Sequence, residues 1–240
     1  MIEITNTEVM GLEGALRGMR NPMNSWHKAD SGLCRYGLEN PFCFTECPSF
    51  HSEEVCMTKY FTVGENDKNL ACKLVKAGSD HRKFMRMIHV QTDVLAPLYW
   101  WKEFDTYKVG TVANSCSTMH KIHSKEFTID DFSHEHLNFI KCGSSFHPFA
   151  QYLQEYIDVL NIARKEYLRT KDKDLWWVMI QLLPTSYNQL RTIDLNYEVL
   201  LNIYHARKNH KLDEWSGEKG FCSWIKTLPY MKDFLCLDNI

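Results

Sequence analysis

The sequence predicts an α+β fold in one domain spanning residues 1–240. Two observations carry that reading. Stretches whose apolar residues alternate, as a half-buried strand requires, stand among stretches where they recur every three to four residues, as a helix requires. No internal repeat and no flexible linker divides the chain, and 240 residues easily bury a core.

In chain order, residues 2–25 open with a short alternating run and continue into a Gly-flanked helical stretch, 11–19. Residues 31–51 are rich in Gly, Pro, Cys and Phe without a clean period and read as a long loop, part of a Cys-rich insertion at about 31–56. Residues 65–77 place Leu70, Leu74 and Val75 on one helical face, with Gly78 as the expected C-cap. Residues 84–94 alternate as a strand, with Phe84, Ile88, Val90 and Val94 on one face and Met85, Met87, His89 and Gln91 on the other. Pro97 suits a first helical turn, and 98–104 continues as an aromatic helix. Residues 109–119 form a polar, turn-rich segment of Gly, Thr, Asn and Ser, of the kind that often meets a ligand.

The second half is mostly helical. Residues 148–170 carry Phe149, Leu153, Ile157 and Leu160 at helical spacing and end in a solvated KDKD run. A second helix over 175–183 stops at Pro184, and 188–193 alternates weakly as a strand. Asn196 is the expected N-cap of a helix running to about Arg207, with Glu198 well placed in its first turn. One or two short helices over 215–235 close the chain.

Composition excludes several function classes. Hydrophobic residues at 44% and charged residues at 24% rule out disorder as the main state. A net charge of −2 lacks the basic excess that a nucleic-acid binder uses to neutralise phosphates. The N-terminal run MIEITNTEVMGLEGALRG has early acids and no long apolar core, so no signal peptide is expected, and no membrane span either. A cytosolic location follows, in which the nine cysteines are expected to be reduced thiols. Seven Trp are unusual; they either fill a core or stack on a flat ligand such as a nucleobase or flavin.

Two clusters invite a metal reading. Cys34, Cys43, Cys47 and Cys56, with His51 among them, lack the second matched pair of a structural zinc site, and buried thiols explain them more simply. His120, His123, His134 and His136 lack a completing Cys or carboxylate, so no metal site is expected. Neither a Gly-rich phosphate loop nor a GxSxG nucleophile motif occurs.

Two regions carry more. KAGSDH leads into a strand and then APLYWWKEFDTYKVGTVANSCSTM; further on, LLP is followed by Tyr187, Asn196 and a helix ending in HARKNH. This order resembles the flavin-dependent thymidylate synthases, in which an AP-initiated helix precedes the pattern RHRxxSxNExSxRY, and an LP–YT segment precedes an Asn and, one helix later, an Arg. Laid on Ala96-Pro97, the resemblance puts His81 on the family's His before the strand and Glu103 on a nucleotide-contacting Gln. Thr106, Tyr107 and Lys108 fall on the RHR triplet, and Thr111 falls on the first Ser. Asn114, Cys116 and Thr118 fall on the Glu, second Ser and last Arg, and Met119 replaces the final Tyr. The spacings from Leu183-Pro184 to Asn196, and from Asn196 to Arg207, match without gaps.

The resemblance implies a small, mostly antiparallel sheet packed against several long helices, a homotetramer with sites between subunits, and FAD-mediated methyl transfer to dUMP. Methylenetetrahydrofolate is then the carbon source and NADPH the reductant, with no Cys nucleophile. It implies that Arg207 binds the nucleotide and polarises a uracil carbonyl, although a helix dipole alone also explains an Arg at a helix end. His81, Tyr107, Lys108 and Asn196 are implied on the cofactor side. Glu103, Thr111, Asn114, Cys116 and Thr118 are implied on the nucleotide side. Lys cannot reproduce the bidentate fork of Arg, so loss of the triplet leaves open a protein that binds or sequesters a nucleotide without this reaction, or one that modifies a pyrimidine nucleotide differently.

Overall fold

The computed structural model describes residues 2–33, 50–52, 55–56, 61–137, 139–142 and 145–235. Most of the Cys-rich insertion, including Cys34, Cys43 and Cys47, lies outside the described residues.

The alternating opening forms β1 (Glu3–Met10), and Gly11 turns the chain into α1 (Leu12–Met19). Gly11 has φ +84°, and a Cβ there would collide with the carbonyl of Met87. Helix α1 buries Leu12, Ala15, Leu16 and Met19, the i, i+3, i+4, i+7 stripe of an amphipathic helix. Strand β2 (Gly32–Leu33) pairs antiparallel with β5 (Phe61–Thr62), and β3 (Phe50–Ser52) with β4 (Val55–Cys56). The N-terminus of α2 (Glu65–Lys76) is held by Asp30, whose carboxylate accepts from the backbone N–H groups of Asn66 at 2.8 Å and Asp67 at 3.0 Å.

Next come β6 (His89–Pro97), α3 (Leu98–Phe104), β7 (Thr111–Ser115) and the hairpin of β8 (Phe139–Cys142) with β9 (Ser145–Pro148). The second half holds α4 (Phe149–Thr170), α5 (Lys173–Leu182), β10 (Asn188–Asn196) and α6 (Tyr197–Arg207). Short helices α7 (Asp213–Ser216), α8 (Phe221–Ile225) and α9 (Met231–Phe234) complete it. The main sheet has the order β1-β6-β10-β7, and the fold is α+β with a small antiparallel sheet.

Four expectations need correction. The strand expected over 84–94 begins only at His89; Lys83–Met87 is a 3-10 turn. Phe84 and Met85 are neighbours and both buried, which does not fit the half-buried alternation the sequence suggested, because successive strand side chains point to opposite faces. The loop expected over 109–119 contains β7, whose side chains from Val112 to Ser115 are exposed, so no apolar alternation announced an edge strand. Pro97 is not inside the helix; it ends β6 and caps α3 in an extended conformation. Three short helices, not one or two, close the chain, the first starting at Asp213.

The chain forms two compact units. One comprises residues 1–3, 94–106 and 114–191. Its core joins Ile122, Phe127 and Phe132 to Ile157, Leu160 and Ala163 of α4 and Met179 of α5. In the same unit Trp100 stacks on Phe104 in α3 and Trp101 meets both edge-on, all three fully buried. The other comprises residues 4–93, 107–113 and 192–240. There Phe234 meets Phe84 and Tyr197 edge-on, and Phe221 packs between Trp215 and Trp224. Four of the seven Trp are buried, so the aromatic excess is largely core.

Candidate functional site

Helix α6 is the scaffold of the site in the second unit. At its start the Asn196 side-chain oxygen accepts the Val199 N–H at 3.1 Å, the N-cap the sequence foretold. At its end stands Arg207, half-buried. Its Nε donates to the Tyr107 hydroxyl at 2.9 Å, joining two sequence-predicted residues 100 positions apart. The guanidinium carbon lies 5.2 Å from the ring centre of Trp215 and 5.7 Å from that of Tyr107, so two aromatic faces fix its orientation. Trp215, fully buried, is braced edge-on by Tyr107 at 6.3 Å and His210 at 6.4 Å. An oriented guanidinium of this kind can hold an oxygen acceptor on a planar ligand and polarise it.

Between Tyr107 and β7, the chain passes Asn196 on Gly110, which has φ +73°. A Cβ on Gly110 would sit 2.8 Å from Asn196 Nδ2 and 3.3 Å from Val199 Cγ2. Gly110→Ala is therefore expected to cost about 1–3 kcal/mol, read as a lower urea midpoint at unchanged slope. An unaltered midpoint would contradict the close approach. The next hydroxyl, Thr111 Oγ1, is buried and finds no hydrogen-bond partner. Such orphans are rare in native proteins.

Not every expected residue joins this cluster. Among the described residues no hydrogen bond links His81 or Lys108 to Arg207; both side chains are exposed, His81 in the turn after α2. Thr106 directs its hydroxyl to the Glu103 carbonyl at 2.7 Å, a local turn bond. In the first unit Glu103 is half-buried on α3, Asn114 and Cys116 are exposed, and Thr118 is half-buried. Cys116 continues the pairing beyond β7, donating its N–H to the Leu190 carbonyl at 3.0 Å and accepting from Gln189 Nε2 at 2.6 Å.

Sequence reasoning missed Gly110, Trp215 and a second arginine, Arg191. Arg191 Cζ lies 4.2 Å from the ring centre of Trp101, and its guanidinium donates to Asp105 at 2.7 Å and to Gln189 at 3.0 Å. An Arg inside a strand pattern was the available signal for it; Trp215 carried none beyond being aromatic.

Burial pushes the Cys222 thiol up to about 12, with Lys226 and Arg207 pulling the other way, so this thiol is neutral and unreactive. Among the described residues no group of three or more His, Cys, Asp and Glu is placed to hold a metal ion. His134 Nδ1 pairs instead with the Phe132 carbonyl at 2.8 Å, and His123 packs edge-on against Tyr167. No helix among the described residues is long and apolar enough to cross a membrane.

No protein-family model and no curated protein matches the chain. Solved structures do. Thymidylate synthase X from Helicobacter pylori, with FAD and dUMP, is 14% identical at a TM-score of 0.62, over 99% of this chain and 98% of that one. A second H. pylori structure with FAD and dUMP is 13% identical at 0.60, over 98% of each chain. A UMP/dUMP methylase, PolB, from Streptomyces cacaoi bound with 5-Br dUMP is 12% identical at 0.55, over 99% and 94%. The chain has the fold of these proteins from end to end.

Proposed function

We propose that this chain is a divergent enzyme of the flavin-dependent thymidylate synthase type, binding FAD and a uracil nucleotide such as dUMP and methylating it. The likeness of fold along the whole chain to proteins solved with FAD and dUMP, and to a UMP/dUMP methylase, carries the reading. The oriented Arg207 supports it, because a guanidinium held between aromatic rings suits an oxygen on a polar planar ligand.

In this reading bound FAD supplies redox chemistry, with NADPH as reductant and methylenetetrahydrofolate as carbon source. Arg207 holds a uracil carbonyl and stabilises negative charge as it develops on the ring. Tyr107 keeps the guanidinium in place and offers its ring for stacking. Thr111 donates to the nucleotide, with Asn114, Cys116, Thr118 and Glu103 assigned to the same side. Asn196 and His81 are assigned to the flavin, and Lys108 supplies a cation for a phosphate. A homotetramer, cytosolic in location, belongs to the same proposal. No covalent part is assigned to Cys222, in keeping with the burial that raises its thiol pKa.

A second reading, a module that binds a nucleotide without this reaction, is favoured by the turn at Thr106 to Lys108. There one side chain serves a local carbonyl and another stands in solvent. The visible spectrum of the purified protein, with and without added FAD and dUMP, separates the two. A bound-flavin spectrum that bleaches with NADPH is the expected result. A colourless protein whose melting temperature still rises with a pyrimidine nucleotide selects the binding module, and no response to either ligand overturns both.

A further inference from the structure

Helix α4, in the unit of residues 1–3, 94–106 and 114–191, has 22 residues and is therefore about 33 Å long. Its inner stripe of Leu153, Ile157, Leu160 and Ala163 packs into the core of that unit. The opposite face is Glu155, Asp158, Ile162, Lys165 and Arg169, at helical spacing and all exposed. An amphipathic helix of one domain keeps such a face polar, yet Ile162 stands at its centre, 64% exposed, with Val159 beside it at 48%.

The charges on this face run in one direction. From Phe149 to Asn161 the helix carries two acids, Glu155 and Asp158, and no base; from Ile162 to Thr170 it carries three bases and one acid. That acid, Glu166, is held by Arg169 at 2.7 Å, and Arg164 donates to the His123 carbonyl at 3.0 Å. The helix dipole does not account for the order. It acts within the first and last turns, and Glu155, Asp158 and Lys165 lie outside both. Asp158 accepts from Gln154 at 3.1 Å on the surface, and Lys165 meets Glu126 at 3.8 Å with both side chains in solvent.

An acidic half, an apolar centre and a basic half match the same face of a second helix running the other way. We propose that this face of α4 docks on its own counterpart in a second copy of the chain, antiparallel and centred on Ile162. A two-fold axis there sets Ile162 on Ile162 and Asp158 of each copy opposite Lys165 of the other, an isologous contact in which every charge pair occurs twice. Glu155 and Arg169 fall opposite one another in the same arrangement. A parallel pairing sets acid on acid and base on base, which like-charge repulsion opposes. Exposed ion pairs add little energy, so the charges set direction and register while Ile162 and Val159 are withdrawn from water. The contact gives the homotetramer of the proposed function one of its surfaces, but needs neither FAD nor a nucleotide.

Sedimentation velocity over a concentration series tests this. The wild type is expected to self-associate, and Ile162→Asp, which brings two like charges to the two-fold axis, to weaken association by at least about tenfold. Asp158→Lys should weaken it too, because it makes both attractive pairs repulsive. Adding Lys165→Asp to Asp158→Lys restores opposite charges, and association should return toward the wild-type value. All three side chains stand in solvent, so each variant should melt as the wild type does. A monomeric wild type overturns this contact and the homotetramer together. Undiminished association of Ile162→Asp, or a double variant no tighter than Asp158→Lys, overturns this contact alone and leaves the homotetramer and the flavin reading standing.

Discussion

Arg207→Ala is expected to weaken dUMP binding by about 100-fold or more while leaving a folded protein. Removing one partner of a buried, hydrogen-bonded charge contact costs about 2–5 kcal/mol, because the oxygen it served is left without its donor. The structural loss is smaller. Arg207 is half-buried at the end of α6, and its contacts there include a hydrogen bond to Tyr107 and its place over the Tyr107 and Trp215 rings. Those contacts are worth about 1–2 kcal/mol together, a fall of several degrees in melting temperature. Titration calorimetry with dUMP beside a thermal melt separates the two effects. Arg207→Lys sharpens the test: it keeps the charge but not the planar fork, so it should recover only part of the affinity. Undiminished dUMP affinity in a folded Arg207→Ala variant would remove Arg207 from the nucleotide site.

That prediction rests on a juxtaposition only partly legible in the sequence. Helix α6 could be read directly, because Asn196 is a cap by its side-chain chemistry and Glu198 and Arg207 suit opposite ends of a helix dipole. Helix α4 was legible from the period of Ile157 and Leu160. Tyr107 and Arg207, 100 residues apart, came together only through resemblance to a family, since no local pattern encodes a contact of that range. Trp215 was beyond even that, because a buried Trp under a guanidinium reads in sequence as any core aromatic. The misread elements have the same origin. Phe84, Ile88, Val90 and Val94 sit at even spacings that mimic a strand, while Lys83–Met87 buries Phe84 and Met85 side by side. Strand β7 exists because it has a place at the sheet edge beside β10, not because its own residues alternate.

The largest stability effect is expected at a pair no motif announced. Asp67→Asn should cost about 3–5 kcal/mol, because it leaves the buried Arg20 guanidinium without its counter-charge. In a chain of this size that corresponds to roughly 10 °C in melting temperature. Asp67 anchors more than Arg20: its carboxylate also gathers the Asp30 and Ser31 backbone, while Asp30 caps α2 in return. Burial works against ionisation of Asp67, yet hydrogen bonds from Ser31, Arg20 and the two backbone groups outweigh it and hold the carboxyl below its usual value. The sign of the pH dependence follows. With the folded value depressed, the unfolded chain takes up its proton first as pH falls. The stabilisation is complete above the usual carboxylate value and is lost as pH drops through the folded one. Urea unfolding at a series of pH values from neutrality downward should show the wild type losing stability faster than Asp67→Asn below the usual carboxylate value, so that the two curves converge. Parallel curves would mean that the Asp67 charge is not what holds Arg20, and equal midpoints at neutral pH would mean that the pair contributes nothing to the fold.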